Sequence, residues 1–135
     1  MHTAKTKYLG NLRTHNTHVR SGQEIITDAP VDNKGRGEAF SPTDLVATAL
    51  CDCMLTIMGI AAAERGFSID GATGEVTKIM STSGTRSIAE IQINLDFSMC
   101  NLCDSEQKII KAIPRLCPVS LSLHPDIKQV LEFKF

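Results

Sequence analysis

Charge is scarce in this chain and evenly divided. Fourteen Lys and Arg stand against 15 Asp and Glu, and charged residues make up 21% of the sequence. That leaves no broad positive field to attract nucleic acid or anionic lipid, so neither class of partner is expected. A secretory leader is not expected, because Met1 to Leu9 hold Lys5 and Lys7 with no apolar run behind them. No serine nucleophile elbow is present to use His15 or His18, which are read as surface residues of strands or turns. No glycine-rich phosphate fingerprint is present, so no nucleotide cofactor is expected. Cys100 and Cys103 have Cys-x-x-Cys spacing but no second such pair, and half a zinc site does not predict a metal. No repeat or low-complexity tract interrupts the order.

What remains is a chain of 135 residues, enough for one domain over 1–135 with a real core. Its five cysteines are an odd number. Without a leader they fit a reducing, cytoplasmic compartment better than a secreted disulfide framework, so any disulfide is expected to be transient.

Residues 4 to 28 read as strands, with Ser21-Gly22 as a turn before Glu24-Ile25-Ile26-Thr27. Asp28 to Phe40 collects Pro30, Asp32, Asn33, Gly35 and Gly37, a turn-rich loop with few anchors, expected on the surface or over a pocket. Ser41-Pro42-Thr43-Asp44 is the sharpest local signal. Ser41 can cap, Pro42 suits the first helical position, and Asp44 completes a reciprocal box. The helix it starts should run to about Arg65, where Gly66 supplies a stop. Leu45 to Ala63 is apolar on almost every side, with Thr48, Asp52 and Thr56 as the polar stripe, so burial nearly all round is predicted. A membrane span is disfavoured by Asp52 at mid-helix, which costs about 2.5–3.5 kcal/mol on an insertion scale. Ala47, Ala49, Gly59, Ala61, Ala62 and Ala63 would let a neighbouring helix or a symmetry mate approach closely, which points to a dimer core.

Ala72 to Met80 and Arg86 to Phe97 read as a hairpin, the second strand clearest from the near-alternation of Ile88, Ile91, Ile93, Leu95 and Phe97. Asp104 can cap a helix to about Ile113, which Pro114 ends or bends. Ser120 to Leu123 follows Cys117-Pro118, and Val130 to Phe135 close the chain as a last strand.

Two cysteines hold the candidate chemistry. Cys53 lies three helical turns beyond Pro42 on an arc with Ala49, Leu50, Ile57 and Ile60. A small core hydrophobe is the ordinary reading; apolar burial alone would raise its pKa and keep it inert. Reactivity needs a cation, because the helix N-terminus is too distant for its dipole to act. Arg13, after the strand-like run Tyr8 to Leu12, is the preferred partner, with Arg36 in the glycine-flanked loop as reserve. Such an arginine could lower the thiol pKa and orient a peroxide oxygen. Cys117 precedes Pro118, which restricts the cysteine backbone and sets the thiol at a helix-to-strand junction. It reads either as a core thiol or as a resolving cysteine that condenses with a sulfenic acid at Cys53. Cys51 points about 200° away from Cys53 around the helix and should not share its pocket.

Ser41-Pro42-Thr43-Asp44-Leu45 through Ala49-Leu50-Cys51-Asp52-Cys53-Met54, with Ala112 through Cys117-Pro118-Val119-Ser120, resembles the OsmC/Ohr family of thiol-dependent hydroperoxide reductases. The likeness spans nearly the whole chain, and its specificity lies in combining a helical cysteine eleven residues after the proline with a distant Cys-Pro-Val-Ser. The resemblance implies an α+β fold: an OsmC-like intertwined homodimer, with curved antiparallel sheets around long central helices and active sites at the subunit interface. It implies that Cys53 attacks the peroxide, Cys117 resolves and Arg13 activates. The implied activity is that of an antioxidant peroxidase of the oxidative-stress response, using organic hydroperoxides, and hydrogen peroxide less well, with a dithiol or lipoylated protein as reductant and no cofactor. Members of the family often carry a glutamate directly after the proline to hold the arginine. Here Thr43 stands in that place, Asp44 has a capping role, and Glu38 in the preceding loop is the candidate substitute. That departure aligns the chain with the broader OsmC-like group. The alternative class is a non-catalytic OsmC-like dimer that senses oxidation or binds a small hydrophobic ligand.

Overall fold

Gly10-Asn11-Leu12 makes the first reversal of the chain, and its backbone explains why a glycine leads it. All three residues have positive φ (85°, 54° and 63°), and Gly10 pairs with Arg13, leaving a two-residue hairpin loop. Paired left-handed residues match the twist of the flanking strands, although a leucine rarely accepts that region. The turn joins β1 (Ala4–Gly10) to β2 (Arg13–His18), and β3 (Glu24–Asp28) lies on the other edge of β2. The sheet is antiparallel in the order β1-β2-β3, with Arg13 opposite Asp28 at its end. The structure, a computed structural model, describes residues 1–135 and divides into two units, Met1–Val46 and Ala47–Phe135.

The loop after β3 is better anchored than its composition predicts. A short 3-10 turn spans Val31–Asn33, and backbone bonds tie Gly35 N–H to Pro30 O (3.0 Å), Gly37 N–H to Ala29 O (3.2 Å) and Asp28 N–H to Phe40 O (3.0 Å). Gly35 lies so tightly on the Ala29 backbone that no side chain fits there. The loop therefore folds back over the end of β3.

Helix α1 (Pro42–Glu64) begins at the predicted box: Asp44 N–H donates to Ser41 Oγ at 3.0 Å, and Ser41 N–H donates to Asp44 Oδ2 at 2.9 Å. It ends at Gly66, whose φ of 80° lets Phe67 N–H return to Ala62 O. Burial nearly all round had been predicted from the sequence, and the structure differs. Leu50, Met54 and Met58 are fully buried, whereas Asp52, Thr56, Ile60 and Ala63 are exposed and Ala49 and Cys53 are half-buried. By length and a mean hydropathy of 2.0 the helix could cross a membrane, a composition that core helices share.

In the second unit, α1 packs on a sheet of β4 (Thr73–Met80), β5 (Ile88–Asp96) and β6 (Lys128–Lys134), in that order. β5 is central and contributes Ile91, Ile93 and Leu95 to the core, followed by Phe97 just beyond it, each at most 1% exposed. β4 is antiparallel to it, whereas β6 joins in parallel, Glu90 opposite Lys128 through Asp96 opposite Lys134. A parallel pair needs a crossover. Here it carries α2 (Asp104–Ala112), a 3-10 turn at Pro114–Leu116 and α3 (Pro118–Ser122). Phe97, Phe133 and Phe135 stack where the strands end, with centroids 5.5–6.5 Å apart.

Candidate active site

Cys117 occupies the N-cap of α3, where a helix-to-strand junction had been expected. Its backbone is extended (φ −68°, ψ 144°), Pro118 takes the first helical position, and Cys117 Sγ accepts the Ser120 N–H at 3.2 Å. The sulfur thus does what a serine or aspartate oxygen does at other N-caps. The thiol is fully buried, and that burial pushes its pKa up, opposed by the Ser120 N–H, which favours the anion. The next cause is the neighbouring Cys53 thiol, which pushes that pKa up further. Two cysteines 64 positions apart in sequence are therefore neighbours, both as free thiols. Cys53 is half-buried on the same side of α1 as Ala49, Thr56, Ile60 and Ala63. One thiol of the pair is thus partly open and the other closed, and the pair can lose two electrons together by closing a disulfide.

The other cysteines are placed apart from this pair. Cys51 faces β4, where its sulfur fills the space that any side chain at position 74 would need, so Gly74 is fixed by packing. Burial, then the neighbouring Asp52 charge, push the Cys51 pKa up. Cys100 Sγ donates to Asp70 O at 3.6 Å, and burial pushes its thiol up too. Cys103 is exposed before α2, its N–H bonded to Glu106 Oε2 at 2.9 Å and its sulfur 3.1 Å from Ser105 Oγ. Cys100 and Cys103 thus have separate partners and are not disulfide-bonded.

Within the first unit, Arg13 is held between two carboxylates. Its Nη2 donates to Glu38 Oε2 at 2.8 Å and to Asp28 Oδ2 at 3.2 Å. These two bonds, Glu38's first, hold the guanidinium pKa above its ordinary value. Asp28 is fully buried, and its Oδ2 also accepts the Glu38 N–H at 3.1 Å. That backbone bond is the main reason its carboxyl titrates below the usual range, outweighing desolvation, with Arg13 adding to the effect. Its other oxygen, Oδ1, is buried without a hydrogen-bond partner. The cross-strand register puts Asp28 opposite Arg13, and the loop folding over β3 delivers Glu38, the residue considered as a substitute for the missing glutamate after Pro42. Arg36 lies beside Asp28 as a second charge and lines a cleft of about 120 Å³ with Leu9, Gly10, Asn11 and Arg13. His15 meets Glu24 at 3.4 Å and His18 meets Ser21 Oγ at 2.6 Å, both on or beside β2.

Sequence reasoning missed Asp28 and Ser120. Cys-Pro-Val-Ser has the N-cap, proline and third-position polar residue of a helix start, and that pattern was the available signal for Ser120. Asp28 gave none, because only strand register brings it to Arg13.

The OsmC-like protein family model matches residues 35–132. A search of curated proteins found no match. Among solved structures, a protein from Psychrobacter arcticus 273-4 whose name ties it to osmotic stress induction and detoxification response is 50% identical, with a TM-score of 0.92 over 98% of this chain and 96% of its own. An organic hydroperoxide resistance protein OsmC from Legionella pneumophila shares the fold at 18% identity, with a TM-score of 0.73 over 98% and 95% of the two chains. So does the organic hydroperoxide resistance protein OhrB of Bacillus subtilis, at 21% identity and a TM-score of 0.66 over 98% of each. With the family match covering most of its length and a 50% identical relative along 98% of it, this α+β chain belongs to the OsmC-like family.

Proposed function

We propose that the chain is a thiol-dependent peroxidase that reduces organic hydroperoxides, and hydrogen peroxide less well, in the peroxide-stress response of the cytoplasm. The observation that carries this reading is the meeting of Cys53 and Cys117 as free thiols in one unit, one partly open and one closed. The organic hydroperoxide resistance proteins with the same fold support it. The Cys53 thiolate attacks the outer peroxide oxygen; the O–O bond breaks, the alcohol leaves with a proton, and Cys53 becomes a sulfenic acid. Cys117 sulfur then attacks Cys53 sulfur, the S–O bond breaks, and water leaves with the Cys117 proton. The disulfide so formed is reduced by an external dithiol or a lipoylated protein. Arg13 is the proposed activating cation, its orientation set by Glu38 and Asp28.

The functional unit is proposed to be a homodimer. On α1 the half-buried or exposed positions Ala49, Cys53, Thr56, Ile60 and Ala63 recur at alternating intervals of four and three, the spacing of a helix–helix seam. A stable monomer near 14.7 kDa in sedimentation at micromolar concentration would rule this out.

The deciding assay is anaerobic reduction followed by cumene hydroperoxide with several dithiols. Repeated turnover supports the peroxidase. Stoichiometric oxidation without recycling supports the redox-sensor alternative, which the double neutralisation of Arg13 by Glu38 and Asp28 favours.

A further inference from the structure

Ser120, whose N–H points at the Cys117 sulfur, is gripped on its other polar groups by a single side chain. Its hydroxyl donates to Gln129 Oε1 at 2.6 Å, and its carbonyl accepts from Gln129 Nε2 at 3.2 Å. Gln129 is itself fixed twice, by its place opposite Ile91 in the β5–β6 pairing and by Arg115 Nη2, which donates to its carbonyl at 3.3 Å. The helix α3 that carries Ser120 has only five residues. A helix this short cannot hold its own first turn, so its geometry must come from outside. The Gln129 amide supplies that restraint from a sheet strand, the most rigid support available.

We propose that Gln129 is a positioning residue for Cys117: by fixing Ser120 it aims the Ser120 N–H at the sulfur, and so governs how readily Cys117 resolves an oxidised Cys53. The proposal rests on the peroxidase reading and deepens it. An N–H aimed at sulfur favours the thiolate, the form that attacks the sulfenic acid. In a buried site, that donor opposes the desolvation that keeps Cys117 protonated. Resolution forms the Cys53–Cys117 S–S bond, breaks the Cys53 S–O bond and releases water carrying the Cys117 proton. The oxidant consumed is the organic hydroperoxide of the first step.

Gln129→Leu removes both amide bonds and keeps bulk. One equivalent of cumene hydroperoxide is added to the reduced chain, and the sulfenic acid is trapped with dimedone over time and read by mass spectrometry. In Gln129→Leu the Cys53 sulfenic acid should persist about three- to tenfold longer, the size expected for losing the net contribution of one ordinary hydrogen bond, and the attack on peroxide should slow less. Ser120→Ala, which loses only the hydroxyl bond, should fall between the two; if Gln129→Leu does not fold, it carries the same readouts. A second measurement needs no peroxide: in reduced Cys53→Ser chain, the pH profile of Cys117 alkylation should move to higher pH when Gln129→Leu is added. A merely structural role would not move that profile, and an unmoved profile overturns the proposal even where the peroxidase reading holds. Failure of native chain to form any sulfenic acid overturns the peroxidase reading instead, and the alkylation profile still decides the role of Gln129.

Discussion

The two units of this chain solve the burial problem differently. The second closes a core on itself: Leu50, Met54 and Met58 from α1 meet Ile91, Ile93 and Leu95 from β5, all at most 1% exposed. The first has three strands and little to put under them. Tyr8, Leu9, Ile25 and Ile26 are each 45–63% exposed, and because adjacent strand residues point to opposite faces, apolar side chains are exposed on both faces of that sheet. A small sheet without a covered apolar face is marginal in water, and exposed apolar patches of this kind mark surfaces meant for a partner. What the first unit buries instead is polar, Asp28 and Thr27 at the end of β3 and Ser41 before α1. Apolar packing therefore supports the thiol pair, whereas ion pairing supports the arginine.

Truncation on each side gives the largest expected contrast. Ile93→Ala empties a fully buried site and should lower stability by about 2–5 kcal/mol. Ile25→Ala removes a half-exposed side chain and should change the stability of an isolated chain within about 0.5 kcal/mol. Its cost should be felt in association instead. Denaturant unfolding at two protein concentrations separates these: relative to native, the midpoint of Ile25→Ala should fall more at the higher concentration, where association adds to stability, and that of Ile93→Ala should fall equally at both. Equal and concentration-independent losses would erase the distinction between the units.

The same contrast explains what was legible in the sequence. The Ser41–Asp44 box, the Gly66 stop and the β4–β5 hairpin were read correctly because each depends on residues close in the chain. Cys53 and Cys117 were singled out by their motifs, but their meeting is a long-range fact. The parallel place of β6 was not legible, since pairing direction is fixed by a crossover of about thirty residues and not by alternation. The five-residue α3 is too short to show a helical period, so only its cap betrays it. On α1 nearly every side is apolar, so the period that would separate its covered face from its bare one is absent from the sequence.

Arg13→Met sharpens the comparison next. Under the proposed function it should slow peroxide attack and shift Cys53 alkylation to higher pH, because an unassisted thiol with a pKa of about 8.5 is only about 3% ionised at pH 7. The structure adds a second effect. Removing the guanidinium takes from the buried Asp28 carboxylate the cation that hydrogen-bonds it, leaving only the nearby Arg36 charge, so stability should fall as well. Combining Arg13→Met with Asp28→Asn should recover part of the stability and none of the reactivity. Recovery of both, or altered reactivity in Arg36→Met with none in Arg13→Met, would move the activating role away from Arg13.

The smallest effect is a pH dependence that both units should share for different reasons. In the first unit the Glu38 N–H and Arg13 hold the Asp28 carboxyl below its usual value of 3.8. In the second, the hydroxyl and N–H of Ser98, with Lys134, hold Asp96 down to about 2. A carboxyl whose pKa is lower in the folded state binds fewer protons folded than unfolded, so stability rises with pH across the interval between the two values. Each carboxylate thus contributes its stability in full above the unfolded value, and the contribution is lost as pH falls through the folded one. Thermal unfolding of native, Asp28→Asn and Asp96→Asn chains should show both variants less stable than native at neutral pH. The Asp96→Asn gap should close between about pH 4 and pH 2. The Asp28→Asn gap should begin to close in the same region, because a protonated Asp28 accepts the Glu38 N–H and the Arg13 guanidinium less strongly than the carboxylate does. For that reason, its loss should coincide with release of Glu38 and Arg13, visible as faster proteolysis of the 28–40 loop, whereas protonating Asp96 should leave that loop untouched. A gap for Asp28→Asn that is constant from neutral pH down to pH 2 would show that its carboxylate charge does not hold the loop.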